Sequence, residues 1–574
     1  MRGWIERFPE RFEYELAAYS ERGLDFKHDP SLLKQQGRVV MRGVLIHEGE
    51  EIQLEVVYPD LFPFLRPEVY AKGLERERHQ NPYDGNLCLL DRSTREWSPS
   101  LTGAWLVGER VPHLLRLLEA GGEELERSEA PQGEPISTYF PSEPGTAIFV
   151  PATALELPEE AMAGSGRIAC GMQQAPQLRV RGALVELVEK TKRNRKTRTL
   201  ARAEQVLKDR FSGTRIPLRW VRLNKPPAEN TPQALLAAIE AAKPGFGLPP
   251  WERVSGGSVA IAGAVFSEEV RQGVREDAWV FAVQVRQEQG PQSAYLIRGE
   301  RLSREDIEAR LPGFVRLGER RVALAGLGAL GSEIAVELAK AGLGTLRGLD
   351  FDSIEAGTTV RWVGGLTAVG QAKTEYLRQR IAFDYPYTYF EPFPMRLGGS
   401  VAAAPAREES ELDVLDRFLD GCDLLVDATA EIGVQQALAS EAEARGLRQL
   451  VVSATEGARG GLVARIDPNR GGCWHCLQMR LDDGSIPLPA HAEPLTLQPR
   501  GCGSLTYRGA GYDLLPISAQ AARVVAATLS DGKESEGSVV FVCDFDADRL
   551  LAPRWSEHWL EADPSCPFCA GRER

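Results

Sequence analysis

What this sequence lacks narrows its function first. No stretch approaches the ~18 uncharged apolar residues of a membrane-spanning helix. The opening MRGWIERFPERFEYELAAY carries charge throughout, without the apolar core of a signal peptide. A basic excess is missing as well: 81 acidic against 68 basic residues leave a net charge of −13. That argues against nucleic acid as the main partner, because phosphate binding shows as positive charge. The basic run KTKRNRKTR has no aromatic residue interleaved and reads as the solvated face of a helix. No internal repeat is present. The nine cysteines are odd in number, and four of them stand in two CxxC pairs. Without a secretion signal, that pattern predicts thiols and metal in a reducing compartment. The expectation is a soluble, cytoplasmic protein with no membrane and no nucleic-acid partner.

A chain of 574 residues exceeds what one hydrophobic core supports, and its 43% hydrophobic and 26% charged composition points to ordinary globular domains. Three are predicted, at 1–125, 126–305 and 306–574. The first opens with Trp4, Ile5, Phe8, Phe12, Leu16 and Tyr19 at helical spacing. Two strands follow, RVVMRGVLI and EIQLEVVYP, then a Pro-rich turn, a loop ending at Cys88, and a helix starting after Ser98 or Thr102. The second has short apolar strands (TAIFVPA, SVAIAGAVF, AWVFAVQVR) around a long basic helix over LVELVEKTKRNRKTRTLARAEQVLKDRF. It offers no nameable chemistry and is expected to be an α+β linker or docking domain. From Arg320 strands and helices alternate, which predicts an α/β fold with a mostly parallel, doubly wound, Rossmann-like sheet.

Gly326, Gly328 and Gly331 form GLGALG between the strand RVALA and the helix SEIAVELAKAGL. Glycines there let the backbone approach phosphates, and the helix start supplies N–H donors. Asp350 ends the next strand, at the distance where a carboxylate reaches a ribose hydroxyl. These features alone fit an NAD site equally well. The segment that follows, LDFDSIEAGTTVRWVGGLTAVGQAK, resembles the ubiquitin-activating and ThiF-like adenylyltransferase family. There an Asp-x-Asp precedes an Asn, an Arg-Gln and a Gly-x-x-Lys; here Asp350, Asp352, Arg361 and Lys373 match. The resemblance implies ATP-dependent activation of a carboxylate, with Mg²⁺ assisting, Arg361 and Lys373 on the triphosphate and Asp350 on the ribose. The sequence departs from the pattern twice. Thr358 replaces the Asn, and the later Asp-x-Thr-Asp-Asn reads VDATAE, so that Ala430 stands where the second acid belongs. Asp427 or Glu431 takes over that role, and Asp427 is favoured because it ends a strand.

Cys473 and Cys476 (CWHC) and Cys566 and Cys569 (CPFC) suit a Cys₄ Zn²⁺ site, as is common in the same family; His475 is a competing ligand. Cys502, between glycines in RGCGSLTYRGAGYD, is the candidate thioester acceptor.

The first domain resembles a ubiquitin-conjugating enzyme domain through NLCLLDRSTREWSPSLT, in which Cys88 precedes Trp-Ser-Pro and a helix start. The family's His-Pro-Asn appears only as HQNP, so Asn81 is the candidate oxyanion donor and Asn86 its rival. Together the resemblances imply a fusion like those of bacterial antiviral operons. A ubiquitin-like protein or another protein tail is activated at its C-terminus, captured on Cys502, passed to Cys88, and conjugated to a lysine-bearing target. A homodimer is also implied. The alternatives are a sulfur-carrier adenylyltransferase with a non-catalytic first domain, an inactive scaffold, and an NAD oxidoreductase.

Overall fold

The computed structural model describes residues 4–74, 78–90, 96–175, except 121–132, and then 177–190, 197–271, 273–288, 290–312, 316–398, 410–488, 496–497, 506–530, 537–545 and 552–570. Contacts divide the chain into two units, Met1–Leu302 and Ser303–Arg574.

In the first unit, helix α1 (Pro9–Glu21) is followed by an antiparallel meander of β1 (Phe26–His28), β2 (Val40–His47), β3 (Glu50–Val57) and β4 (Glu68–Tyr70). Trp4, Tyr19, Val56, Phe62, Leu106 and Leu115 close one core between them. The later helical run begins at Gly103. Thr102 Oγ1 accepts the Trp105 N–H at 3.1 Å, and the buried Glu15 carboxylate accepts the Gly103 N–H at 2.8 Å, so two otherwise orphaned donors of the first turn are satisfied. Its wide π-turn, Leu106–Arg110, lies just before α2 (Val111–Ala120). Pro112 explains the position, because its ring crowds the carbonyl of the preceding turn and it donates no N–H.

The rest of this unit is a barrel. Its strands are β5 (Ala147–Val150), β6 (Ala163–Ala175), β7 (Gln177–Lys190), β8 (Thr197–Arg202), β9 (Thr214–Arg222), β10 (Glu252–Val254), β11 (Gly257–Arg271), β12 (Val274–Gln287) and β13 (Gln292–Arg301). The order β11-β12-β13-β5-β7-β6-β9 returns to its start through parallel pairing of β9 with β11. Seven strands therefore close on themselves, with β8 and β10 added outside the ring. Alternate residues fill the interior, among them Ile148, Ile216, Trp220, Trp279 and Phe281. Gly299 makes room for an indole: a Cβ there would lie 2.8 Å from the Trp279 Cβ. Helix α3 (Pro232–Ala242) covers an outer face through Leu235 and Ile239 against Ala262, Ala264 and Phe266.

The long basic helix expected in this region is not formed. Its residues make β7, β8 and a short helix, Gln205–Arg210, while 191–196 lie outside the described residues. Both faces of β7 are covered, Leu184 and Leu187 inward and Ala183 and Val185 outward against Leu207 and Phe211. Two buried faces erase the period-two alternation that would have marked a strand.

The second unit holds one eight-stranded sheet. Its strands are β14 (Arg321–Ala325), β15 (Thr345–Leu349), β16 (Tyr389–Phe393), β17 (Leu424–Asp427), β18 (Arg448–Ala454), β19 (Gly460–Ile466), and, after the isolated pair β20 (Thr496–Leu497) and β21 (Thr506–Tyr507), β22 (Val539–Asp544) and β23 (Arg554–Trp559). The order is β16-β15-β14-β17-β18-β19-β22-β23, parallel through β18 and antiparallel beyond it. Helices α4 (Ala329–Lys340) and α5 (Lys373–Asp384), with the long helix Gly511–Leu529, pack on one face. Helices Glu411–Leu419 and Ile432–Ala444 pack on the other. The sheet is doubly wound, as the alternation of strand and helix patterns predicts. No helix among the described residues is long and apolar enough to cross a membrane.

Candidate active site

From β14 the chain passes to β15 on one side and later to β17 on the other, so the strand order reverses between β14 and β17. A crevice outside the carboxyl ends of the strands at such a reversal is where doubly wound sheets bind ligands. Gly326 (φ +82°) turns the chain there and lies against β17's exit: a Cβ would meet the Ala428 carbonyl oxygen at 2.6 Å. Gly331 sits under the turn, where a Cβ would come 1.9 Å from the Gly326 carbonyl oxygen. Gly328 has nothing within 4 Å of its Cβ position, so one side of the loop is open. The three glycines thus have separate duties, a left-handed turn, an open approach and a close helix–loop contact.

Asp350 anchors this loop. Its Oδ2 accepts the Leu327 N–H at 2.7 Å, and its Oδ1 accepts the Asp352 N–H at 2.8 Å. Lys373, at the start of α5, places Nζ 2.8 Å from Asp352 Oδ2 and 3.6 Å from Asp350 Oδ2. An isolated bridge between Ser353 and Ala372 holds the two segments in that register. Arg361 follows the short helix Ala356–Val360. Its neighbour Trp362 is buried and donates its indole N–H to the Leu327 carbonyl at 2.8 Å, which fixes Arg361's backbone beside the glycine loop. Thr358, where the family has Asn, donates its hydroxyl to the Glu355 carbonyl at 2.8 Å.

Asp427 is the last residue of β17 and is fully buried. Thr429 donates to its Oδ1 through N–H (3.1 Å) and Oγ1 (2.7 Å), while Oδ2 has no hydrogen-bond partner. Burial raises its carboxyl to about 6, and the two Thr429 bonds offset only part of that. The folded chain therefore keeps a proton that the unfolded Asp, with an ordinary value near 3.9, has released. Stability contributed by the neutral form is present below about pH 4 and is lost as pH rises to about 6, by roughly 2–3 kcal/mol. Asp427→Asn is expected to abolish that loss. Urea titrations of both proteins from pH 4 to 8, without metal, check it: an unchanged stability difference across that range defeats the assignment. Three residues on, Ala430 is exposed in the left-handed region (φ +55°), an uncommon place for a residue with a Cβ.

A second cluster lies in the same unit. Cys473, Cys476, Cys566 and Cys569 are all buried, with their sulfurs within 4.8 Å of one another. Individual Sγ–Sγ separations are 3.9, 3.6 and 3.3 Å. A tetrahedral Zn²⁺ with bonds of about 2.3 Å spaces its sulfurs about 3.8 Å apart, so the four thiols could hold such an ion. His475 instead packs on Phe568, ring centroids 4.8 Å apart.

In the first unit Cys88 is exposed. Its N–H donates to the His79 carbonyl at 2.8 Å, and Sγ lies 3.7 Å from the Leu90 carbonyl. Asn81 belongs to the same loop, and its Oδ1 accepts the Tyr83 N–H at 3.0 Å, a local turn that the sequence signals through Asn followed by Pro. Asn86 sits across the loop from Asn81, and its carbonyl accepts the Asn81 N–H at 2.8 Å. Cys502 lies outside the described residues. The residues that the sequence singles out around the glycine loop are thus brought together. Ser332, which carries no signal in the sequence, joins them as a fully buried hydroxyl without a hydrogen-bond partner in the first turn of α4.

Residues 303–504 match the ThiF family model. Over nearly its full length the chain is similar to the uncharacterized protein y4oA of Sinorhizobium fredii, at 31% identity, covering 98% of this chain and 97% of that one. It is also similar to the uncharacterized protein y4qC of the same organism, at 29% identity, covering 91% and 90%. Among solved structures, E. coli MccB with ATP is 14% identical, covering 44% of this chain and 67% of that one with a TM-score of 0.33. PaaA is 18% identical, covering 45% and 75%, also at 0.33. These two likenesses are too slight to bear on mechanism. By its full-length similarity the chain belongs to the family of y4oA, and its second unit carries a ThiF-family domain.

Proposed function

We propose that the second unit uses ATP to adenylate the C-terminal carboxylate of a protein, a ubiquitin-like protein or another protein tail. The observation that supports this most is the meeting of the glycine loop, Asp350, Lys373, Arg361 and Asp427 at the strand-order reversal of a ThiF-family domain. A carboxylate oxygen attacks the α-phosphorus, a new O–P bond forms, the bond to the bridging oxygen breaks, and pyrophosphate departs. Charge builds on the phosphoryl oxygens, where Arg361 and Lys373 stabilise it. Lys373 is paired with Asp352 and Asp350, so a triphosphate competes with those carboxylates for it. Asp427 Oδ2, a buried carboxylate oxygen without a partner, fits the oxygen preference of Mg²⁺, which when bound supplies further charge neutralisation. The four-cysteine cluster holds a structural Zn²⁺.

The Cys502 thiolate then attacks the acyl adenylate and AMP leaves. Cys88 takes the acyl group by thioester exchange, and a lysine amine of a target attacks it, releasing the thiolate. Exposure of Cys88 on a loop supports its part in this relay. Antiviral defence, a cytoplasmic setting and a homodimer joined through the adenylation domain belong to the same reading.

Cys88→Ser, incubated with Mg-ATP and a cell lysate, is expected to accumulate a polypeptide as a stable ester at position 88, detected by intact mass. Adding Cys502→Ala or Arg361→Ala should remove it. Vigorous ATP–pyrophosphate exchange with no adduct on the Cys88→Ser protein would sink the relay and leave adenylation standing.

A further inference from the structure

The loop that carries Cys88 is held by more than its own domain. Arg78 Nη1 donates to both carboxylate oxygens of Glu269, at 2.8 and 2.9 Å, and the two side chains are only 19% and 14% exposed. Glu269 lies near the end of β11, and its Oε1 also accepts the Gly273 N–H at 2.8 Å, in the turn into β12. His79 Nδ1 is 3.5 Å from Glu134 Oε1. The Tyr83 ring meets Phe140 edge-on, centroids 5.4 Å apart, and Phe140 is itself buried against Phe266 of β11. The neighbouring Glu268 pins the Phe140 segment to the same barrel end, accepting the Ser137 N–H at 2.7 Å and hydroxyl at 2.9 Å.

Within the loop, the residue that takes the Cys88 N–H is His79, whose backbone is left-handed (φ +58°). A non-glycine residue holds that conformation only where its surroundings impose it. Those surroundings are an ion pair on one side, Arg78 with Glu269, and a packed ring on the other, Tyr83 with Phe140. Glu269 belongs to barrel strand β11, and Phe140 to the segment packed against that strand.

We propose that the end of β11 at Glu269, with segment 134–140 packed on it, is a fixed brace for the Cys88 loop, which makes Arg78, His79 and Tyr83 positioning residues for the acceptor cysteine. The middle of the chain then sets the His79 carbonyl and, through it, the backbone of Cys88. The catalytic meaning of the brace rests on the reading of Cys88 given above; the mechanical coupling does not.

The test uses the full chain with Arg78→Met, Glu269→Gln and the charge exchange Arg78→Glu with Glu269→Arg. Amide hydrogen exchange is followed at Asn81, Gly85 and Cys88, together with the pH profile of Cys88 alkylation by iodoacetamide. Each single variant is expected to speed exchange at those three amides by roughly tenfold, to displace the alkylation profile, and to leave β2 and β3 protected. The charge exchange is expected to restore both signals. Where Arg78→Met does not fold, Phe140→Leu reads the same amides without removing a charge. Unchanged loop exchange overturns the brace, and so does an equal loss of protection across the whole first domain. A responsive loop combined with a failed ester trap on Cys88→Ser overturns the relay alone.

Discussion

Arg361→Ala is expected to slow carboxylate-dependent ATP–pyrophosphate exchange by about 10²–10³-fold, the cost of removing one donor aimed at developing charge. The loss should fall on kcat, with the affinity for ATP changed little, because the glycine loop and Asp350 remain to hold the nucleotide. The buried contact with the loop through Leu327 is made by the Trp362 indole, which the substitution leaves in place. Lys373→Met is the informative comparison. It removes a cation from Asp350, whose side chain is 8% exposed, but leaves that carboxylate two backbone N–H donors. It should therefore combine a comparable rate loss with a modest fall in stability. Equal exchange rates for wild type and Arg361→Ala, measured with a carboxylate that supports turnover, rule out the arginine's assigned role.

Cys566→Ser is expected to lose bound zinc and, with it, the fold of the lobe the metal joins. Elemental analysis of the wild type should find one zinc per chain, and the variant should retain far less. The cluster ties the start of helix Trp474–Asp482 to the segment after β23, and the surrounding core includes Leu477, Leu481, Val540, Val542 and Leu560. Structural zinc contributes about 10–16 kcal/mol in small isolated sites at pH 7, as much as the whole stability of a typical domain. Limited proteolysis should accordingly open the chain near 474–482 after chelation. Wild-type protein that carries no zinc, yet shows the same protease resistance with and without chelator, rules out the structural metal. Recovery of intramolecular disulfides within the CxxC pairs would favour a redox use instead.

The two ends of the second unit are legible in the sequence for different reasons. The glycine turn, Asp350 and Lys373 are close in sequence, and their placement beside one another follows from local backbone geometry, so the linear pattern contains it. The four cysteines are readable because metal chemistry permits few residue types, even when the pairs stand far apart. Asp427 is harder. The sequence places it at a strand end, but only the fold buries one of its oxygens without a partner, and that burial is what raises its carboxyl. In the first unit, Asn81 is legible as a turn residue of the Cys88 loop, its Oδ1 accepting the Tyr83 N–H. The barrel is legible only as scattered strands. Pairing between β5 and β13, or β9 and β11, joins distant segments and leaves no local signal. Strong helix formers such as Leu184, Glu186, Leu187 and Glu189 then suggest the wrong period, which pairing with β6 and β8 overrides.

That distant pairing has a consequence for how the protein is made. Ile148 is registered with Gly182 on one side and Gly299 on the other, so on the ribosome β5 waits for roughly 150 further residues before its second neighbour exists, about 8–30 s at ordinary elongation rates. For most of that interval the meander and its Cys88 loop have been synthesised while Glu269, the partner of Arg78, has not. A nascent chain stalled before residue 260 would carry the meander and its thiol-bearing loop before Glu269 exists, so maturation of that loop is timed by β11, not by its own sequence.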